Sequence, residues 1–231
     1  MEVEIWSDVA CPWCYVGKRR FEAALGQFEH RDDVTITWRS FELDPEAPTE
    51  REGDRAEHLA SKYGMSLEQA QQAEAQMTQT AAGEGLDFRF DIARAGNTFD
   101  GHRLVHLGKA HGLQDAMKER LLQAYFSEGK LISDHETLAR LAQEVGLPED
   151  EVRETLASDR YAADVRKDER AAQSFGIGAV PTFVVDRQLG ASGAHPPEQL
   201  LSLLRQGWAQ RKPPVGVVLG PDGESCGVDG C

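Results

Sequence analysis

Four cysteines, in two close pairs at opposite ends of the chain, are the residues best suited to chemistry. The first pair is Cys11 and Cys14, separated by Pro12 and Trp13. A thiolate is the attacking species in disulfide exchange, so a redox cysteine needs a lowered pKa and access to its substrate. If Cys11 lies at the start of a helix, the unpaired N–H groups and the helix dipole stabilise its thiolate. The spacing therefore predicts Cys11 as the nucleophile and Cys14, one turn later, as the resolving partner.

The two residues between these cysteines tune the pair. Pro12 occupies the kind of first helical position that proline favours and stiffens the first turn. Trp13 adds an indole N–H and a large apolar surface, but no positive charge near the sulfur. We therefore expect a pair that is less oxidising than the most strongly oxidising dithiols of this kind. An inert thiol pair, or half of a zinc site, is the alternative interpretation.

The second pair, Cys226 and Cys231, lies in a tail whose glycines and prolines predict reach without regular structure. We interpret it as an auxiliary redox pair that can approach the first pair. Glu224 and Asp229 disfavour thiolates beside these cysteines, so the tail disulfide should be the harder to reduce and should be formed by the first pair. A frayed tail with incidental cysteines, an intermolecular bridge, and a four-thiolate zinc site shared with the first pair remain open.

The formal net charge of −14 over 231 residues limits the classes of partner. We expect no nucleic-acid or membrane partner, because phosphate groups bind clustered Lys and Arg and no apolar stretch approaches the roughly 20 residues of a membrane-spanning helix. The acidic N-terminus leads into the cysteine motif without the basic and apolar regions of a signal peptide, so we expect a cytoplasmic protein. Close cysteine pairs in a reducing compartment are redox centres or metal ligands more often than structural disulfides.

Apolar periodicity predicts the elements that must position the first pair. A β-prone run at 3–6 is followed by a helix over about 12–28 and a β-rich segment at 34–43, which together form a strand–helix–strand unit. Near the other end of the chain, 180–186 and 189–194 predict a β-hairpin.

The long segment between these β regions, from about 45 to 176, reads as helical throughout. Capping boxes are predicted at Ser66 with Gln69 and at Ser133 with Glu136. A last amphipathic helix is predicted to open at 196–197, where two prolines precede a leucine-rich face.

A proline at the predicted start of a strand adds a further candidate residue. Pro181 lies between Val180 and Thr182, and a strand start tolerates proline because no ladder hydrogen bond is lost there. From these residues alone the peptide bond is an ordinary trans bond or a cis bond, of which trans is much the more common.

Three motifs carry a family resemblance: Ser7-Asp8 with Cys11-Pro12-Trp13-Cys14, Asn97-Thr98 followed by His102-Arg103-Leu104, and Gly178-Ala179-Val180-Pro181-Thr182-Phe183. Together they resemble the DsbA family, specifically its FrnE-like branch, and the resemblance covers nearly the whole chain. It implies an α/β, thioredoxin-like fold with an inserted all-helical domain, and a cis Pro181 beside the cysteine pair. It also implies that the backbone around Val180 pairs with an extended substrate segment, and that the C-terminal pair exchanges disulfides with the first.

Two related groups offer a rival function. The 2-hydroxychromene-2-carboxylate isomerases and the kappa-class glutathione transferases resemble this chain at Asn97 and Pro181, but they typically carry serine in place of a paired dithiol. A glutathione-dependent isomerase or transferase is therefore the alternative, and a zinc-stabilised thioredoxin-like binding module is a second one. DsbA itself carries His within its motif and a secretory signal, so a periplasmic oxidant role is not expected for a chain with Trp13.

The sequence as a whole predicts a thiol–disulfide oxidoreductase. The expected catalytic residues are Cys11, Cys14 and Pro181, the expected substrate-positioning residues are Pro12, Trp13 and Val180, and the auxiliary pair is Cys226 and Cys231. No metal and no cofactor are expected, glutathione is a candidate co-substrate, and the partners are protein or small-molecule thiols and disulfides.

The predicted domain organisation has three parts. Residues 1–44 and 177–212 form the thioredoxin-like domain, 45–176 form the helical insertion including the returning helix, and 213–231 form the flexible tail. The direction of exchange (reduction, oxidation or isomerisation) depends on potentials and partners that the sequence does not specify.

Overall fold

The strand β1 (Glu2–Ser7) lies inside a mixed sheet in the computed structural model, which describes residues 1–211. It pairs in parallel with β2 (Thr35–Ser40) and antiparallel with β3 (Thr182–Val185). β4 (Leu189–Ser192) pairs antiparallel with β3, so the order across the sheet is β2-β1-β3-β4. The predicted strand–helix–strand unit and the predicted hairpin are therefore both confirmed.

One face of the sheet is covered by α1 (Pro12–Gly26) and α9 (Pro197–Gln210), which pack against each other. Side chains alternate along a strand, so Ile5 of β1 points toward these helices and is fully buried. The rings of Phe21 and Phe183 stack there with their centroids 5.4 Å apart. α1 begins directly after β1, and this packing fixes the start of α1 at the end of the sheet.

The opposite face of the sheet is covered by α8 (Ala162–Ser174). Trp6, the neighbour of Ile5 on β1, is fully buried on this side. Its indole Nε1 donates to the carbonyl oxygen of Asp168 at 2.9 Å, and its ring meets Phe175 edge to face at 5.7 Å. The helix that returns from the helical segment therefore forms part of the layer that holds the sheet.

The helical segment between β2 and β3 contains, besides α8, the helices α2 (Arg55–Tyr63), α3 (Leu67–Gly83), α4 (Phe99–Ala110), α5 (Gln114–Phe126), α6 (His135–Glu144) and α7 (Glu149–Ala157). α4 and α5 carry the apolar core of this segment, with Leu104 and Leu121 fully buried. Gln114 joins the segment to the sheet, because its side-chain amide exchanges two hydrogen bonds of 3.0 Å with the backbone of Trp38 on β2.

The segment 45–176 is less helical than predicted. Residues 41–54 and 84–98 are irregular and lie against each other. Arg51 N donates to Ala95 O at 2.8 Å and Asn97 N donates to Pro48 O at 2.9 Å, so part of their backbone is satisfied without a helix. Gly96 permits this contact, because a Cβ at this position would lie 2.3 Å from Thr49 O. Composition alone could not anticipate such mutual pairing.

The two predicted capping boxes had different outcomes. The box of Ser66 with Gln69 is present at the start of α3. The box of Ser133 with Glu136 was wrong, because Asp134 caps α6 by accepting from Thr137 N at 2.8 Å. The Ser133 hydroxyl instead donates to Thr49 O in the irregular segment.

No helix within residues 1–211 is long and apolar enough to cross a membrane. The division of the chain into a thioredoxin-like domain, an insertion and a tail stays a prediction.

Candidate active site

Cys11 is the N-cap residue of α1. Its backbone is extended (φ −95°, ψ 113°), and its Sγ accepts the N–H of Cys14 at 3.3 Å. Pro12 is the first residue of the helix, where its missing N–H costs nothing. The four residues of the motif therefore form the expected helix start, with both sulfurs as free thiols.

Cys11 and Cys14 differ in access. Cys11 lines a cavity of about 620 Å³, although only 4% of the residue is exposed, whereas Cys14 is 1% exposed and does not line it. Trp13 also lines this cavity and is 46% exposed. A substrate in the cavity therefore meets the sulfur of Cys11 first.

The peptide bond between Val180 and Pro181 is cis, as the family resemblance implied. The Val180 carbonyl oxygen lies 3.6 Å from Cys11 Sγ, and Val180 lines the same cavity. Gly17 of α1 allows the close approach of Pro181, because a Cβ on Gly17 would lie 2.8 Å from Pro181 Cγ. Residues 169 positions apart along the chain thus meet at one helix start.

A buried carboxylate, Asp8, lies just before the cysteine motif. Its oxygens accept the N–H groups of Val9 at 2.7 Å and Leu43 at 2.8 Å, and His102 Nε2 lies 3.2 Å away. Burial raises the pKa of Asp8, but the bond from His102 and the Leu43 amide outweigh it and hold that pKa below its usual range. Burial lowers the pKa of His102. The pair therefore connects the segment before the cysteine motif to α4 through one buried carboxylate.

A buried lysine, Lys118 of α5, lies near both Asp8 and the cysteine pair. It is 1% exposed, and its Nζ donates to Ser7 O at 3.1 Å and lies 5.8 Å from the centroid of the Trp38 ring. Burial lowers the pKa of Lys118 to about 8, although the neighbouring Cys14 and Asp8 favour its charged form.

The surroundings of Cys11 and Cys14 shift the pKa values of the two thiols in opposite directions. Burial raises the pKa of Cys14, but the hydrogen bond from Cys11, the charge of Lys118 and the hydroxyl of Ser7 bring it below its usual range. The bond shared with Cys14, together with burial, raises the pKa of Cys11 well above its usual range.

This distribution differs from the lowered pKa that we expected for Cys11. The helix-start amide does contact the Cys11 sulfur, as expected, but the buried ammonium and the Ser7 hydroxyl favour the negative charge on Cys14. The cavity therefore favours Cys11 as the sulfur that a substrate reaches, whereas the surrounding charge and hydrogen-bond donors favour the thiolate form of Cys14.

Five residues of α2 line the cavity, and three of them, Arg55, His58 and Lys62, are basic. Arg55 is paired with Glu74 of α3, whereas Lys62 forms no ion pair within residues 1–211. His58 lies one turn before Lys62, and burial together with the nearby Arg51 lowers its pKa. The cavity that Cys11 lines therefore also carries positive charge at Lys62.

Three further residues of the resembling motifs have structural roles. The Asn97 side chain accepts from Phe99 N at 2.9 Å at the start of α4, and His102 contacts Asp8. Arg103 donates to backbone carbonyl oxygens after α7, including Arg160 O at 2.9 Å. Asn97 and Arg103 hold the helical segment together, and His102 connects it to the cysteine motif.

The structure brings together most of the residues that the sequence singled out: Cys11, Pro12, Trp13, Cys14, Val180 and Pro181. Cys226 and Cys231 lie outside the described residues. Within residues 1–211, no group of three or more His, Cys, Asp and Glu side chains is placed to hold a metal ion.

Sequence reasoning missed Lys118 and Gly17. A signal for Lys118 was available, because it shares one face of its helix with Leu121, Leu122 and Tyr125, all of them buried. A lysine within such a stripe is rarely buried without a specific reason. No local signal marked Gly17, since its need for space comes from a residue far along the chain.

A family model described as DSBA-like thioredoxin domain matches residues 2–205 of the chain. A probable DsbA oxidoreductase from Streptomyces coelicolor has a similar structure, with a TM-score of 0.88 and 46% identity over 100% of this chain and 98% of that chain. These matches confirm the expected resemblance and the α/β, thioredoxin-like fold with inserted helices.

Two more distant structures share the fold. The cytosolic disulfide reductase DsbM from Pseudomonas aeruginosa has a TM-score of 0.66 and 17% identity, over 91% of this chain and all of that chain. It is also known with GSH. A 2-hydroxychromene-2-carboxylate isomerase has a TM-score of 0.64 and 16% identity, over 91% of this chain and 95% of that chain.

Proposed function

The chain belongs to the family of DsbA-like thioredoxin domains, and we propose that it is a thiol–disulfide oxidoreductase that exchanges disulfides through Cys11 and Cys14. One observation carries the proposal. Cys11 lines the cavity at the start of α1, beside Val180, while Cys14 is only 1% exposed and does not line the cavity. A metal or a nucleotide is not needed for this chemistry, since the two thiols supply both electrons.

The exchange proceeds in two displacements. Cys11 passes its proton to the Cys14 thiolate and attacks one sulfur of the substrate disulfide, so that a mixed disulfide forms and the other substrate sulfur leaves as a thiolate. That thiolate takes the proton of Cys14. Cys14 then attacks Cys11 Sγ, the mixed disulfide breaks, and the second substrate sulfur leaves. The substrate gains two electrons, and Cys11 with Cys14 becomes a disulfide.

A substrate bound here is held by backbone and by apolar surface. Val180 lies beside the reacting sulfur, and an extended segment can add to the chain at this point as a β-strand adds to a sheet edge. Trp13 presents a half-exposed indole at the mouth of the cavity, and Leu43 is 42% exposed nearby. We assign substrate positioning to Pro12, Trp13 and Val180 on this ground.

Glutathione, or a similar small anionic thiol, is a candidate co-substrate. The cavity volume of about 620 Å³ is within the ordinary range for small-molecule sites. The positive charge of Lys62 in the cavity lining favours a carboxylate-bearing ligand. This observation also supports the rival function, a glutathione-dependent isomerase or transferase, for which Cys11 would orient the ligand without exchanging a disulfide.

The auxiliary pair is part of the same proposal. Between Arg211, where the described residues end, and Cys226 there are 14 residues. A chain of that length spans about 50 Å when extended, more than twice the roughly 21 Å length of α9. Exchange between the tail and Cys11 is therefore within reach. A cytoplasmic working place is also proposed, in keeping with the cytosolic reductase that shares the fold.

The proposal is tested by trapping the mixed disulfide. The reduced protein, Cys11→Ser and Cys14→Ser are each mixed with glutathione disulfide and, separately, with insulin, and adducts are measured by mass spectrometry. We expect a stable adduct at Cys11 in Cys14→Ser, none at this motif in Cys11→Ser, and turnover only in the protein that keeps both Cys11 and Cys14. To isolate the motif, all three proteins carry serine at Cys226 and Cys231.

The rival is tested in parallel with glutathione and 2-hydroxychromene-2-carboxylate. Isomerisation that persists in Cys14→Ser, together with no reduction of either disulfide by the wild type, would replace the oxidoreductase proposal with the rival.

A further inference from the structure

The second displacement needs a thiolate on a cysteine that has no contact with solvent. Cys14 is 1% exposed, and burial raises the pKa of its thiol. A thiolate there requires a compensating positive charge or a set of donors, because an isolated ion in the interior is strongly disfavoured.

The buried side chain of Lys118 is placed to compensate that charge. Its Nζ donates to the carbonyl oxygen of Ser7 at 3.1 Å, the next residue is the buried Asp8, and the buried Cys14 sulfur is the group whose negative charge most favours the charged form of Lys118. Lys118, Ser7, Asp8 and Cys14 therefore form one buried polar cluster. Its remaining charged neighbours are Cys11, at the mouth of the cluster, and Lys18.

Lys118 has no carboxylate partner within 4.0 Å among residues 1–211, which distinguishes it from Lys18. Lys18 of α1 is also buried and lies 6.0 Å from the same Trp38 ring, but it pairs with Glu22, Asp115 and Glu119. A wholly buried ammonium with no carboxylate at ion-pair distance is costly, so the negative groups that favour its charged form, Cys14 first and Asp8 second, must act as its counter-ions.

We propose that Lys118 is a positioning residue for the proposed exchange reaction: its buried ammonium is the counter-charge that keeps Cys14 in the thiolate form that attacks Cys11. In the mixed disulfide, the departing substrate thiolate removes the proton of Cys14, and Lys118 stabilises the negative charge left behind. When Cys14 has joined Cys11, that charge has passed to the second substrate sulfur, and Lys118 is left beside a neutral disulfide. The role rests on the proposed function, but its tests below measure proton affinities and not turnover.

The first test titrates the Cys14 thiol. In a full-length chain with serine at Cys11, Cys226 and Cys231, the ultraviolet absorbance of the thiolate reports Cys14 alone. We expect Lys118→Met to raise the pKa of Cys14 by about one to three units, because an opposite charge at close range shifts a thiol by this amount. Lys118→Arg, which keeps the charge, should restore a value nearer to the parent.

Lys18→Met is the matched control, since it removes a buried lysine near the same ring and should leave the Cys14 pKa close to the parent. A Cys14 pKa that is unchanged by Lys118→Met, or moved equally by Lys18→Met, would overturn the proposal. A purely structural role for Lys118 predicts a lower melting temperature in Lys118→Met with no change in that pKa, and this outcome also overturns it.

A second measurement needs no substitution at Lys118. The side-chain nitrogen resonance of Lys118 is titrated in the wild type with the Cys11–Cys14 pair reduced and then oxidised. We expect the Lys118 pKa to be lower in the oxidised protein, because the disulfide removes the neighbouring negative charge. Equal values in the two redox states contradict the proposal, even if disulfide exchange by the protein is never observed.

Discussion

The Asp8 carboxylate makes hydrogen bonds with residues from three different parts of the chain. It follows β1 and accepts two backbone N–H groups, one from its own turn and one from Leu43 beyond β2. Its third partner, His102, belongs to α4. This carboxylate therefore joins the sheet, the segment after β2 and the helical segment within a few ångströms of the cysteine pair.

We predict that Asp8→Asn lowers the free energy of unfolding by about 2 kcal/mol at pH 7, because the amide cannot accept from the Val9 and Leu43 N–H groups as a carboxylate does. The folded-state pKa of Asp8 lies below its unfolded value. Its ionisation therefore contributes stability above the unfolded pKa of about 4, and this contribution is lost as the pH falls through the folded pKa.

The difference between wild type and Asp8→Asn should accordingly shrink as the pH is lowered from 7 toward 3, as measured by urea unfolding. Asp32→Asn is the control, because the side chain of Asp32 is 98% exposed and lies 3.8 Å from the exposed Arg31. A difference that is independent of pH would show that the charge of Asp8 does not contribute to stability.

At the level of elements, the approach of α1 to the loop before β3 decides the geometry of the site. The contact is made by Gly17 and Pro181, and Ala194 lies on the other side of Gly17. An added methyl group would lie 2.8 Å from Pro181 Cγ and 3.5 Å from Ala194 Cβ, so one of the elements must move.

We predict that Gly17→Ala costs about 1 to 3 kcal/mol of stability, as overpacking usually does, and slows the reaction of Cys11 with a disulfide. Gly26→Ala is the matched control on the same helix, because no atom lies within 4 Å of the added methyl. It should be neutral or slightly stabilising through helix propensity. Chemical unfolding and the rate of mixed-disulfide formation measure both effects, and a Gly17→Ala protein as reactive as Gly26→Ala would contradict this account of the contact.

The elements near the cysteines were predictable because their signals are local. Alternating β-prone runs gave the strands, and Pro12 together with the apolar spacing after it located α1. The cis bond at Pro181 followed from family resemblance and not from the physics of its neighbours.

The rest depends on contacts between distant segments. The irregular stretches 41–54 and 84–98 satisfy each other's backbone, and Gly17 is needed because of a proline more than 160 residues later. Asp134 caps α6 in place of the predicted Ser133, because the Ser133 hydroxyl donates to Thr49 O instead. Periodicity within one segment contains no information about such partners.

On the scale of the whole molecule, the chain carries two dithiols with different surroundings. The first pair has a buried ammonium beside it, while the second has acidic neighbours in sequence. A thiolate that is stabilised favours the reduced form of its pair, so electrons should flow from the tail to the first pair.

We predict that one equivalent of a disulfide oxidant, added to the fully reduced wild type, leaves the disulfide between Cys226 and Cys231 and the first pair reduced. Peptide mapping after alkylation locates the disulfide. In Cys11→Ser the tail should oxidise much more slowly, because the proposed exchange with the tail begins with attack by Cys11. A disulfide found at Cys11 and Cys14 in the wild type at equilibrium would give the opposite order of reduction potentials.

The burial of Cys14 has a consequence for the chain before it folds. The surroundings of this sulfur come from Ser7 and Asp8 near the N-terminus and from Lys118 of α5, so they exist only once the two regions have come together. Before these regions meet, Cys14 is an ordinary thiol that can be alkylated or can form an incorrect disulfide. In the folded protein it is buried and protected from both reactions. Cys14, the resolving cysteine of the proposed reaction, is thus also an indicator of folding. The fraction of Cys14 that a bulky alkylating reagent labels equals the fraction of chains that have not yet folded around it.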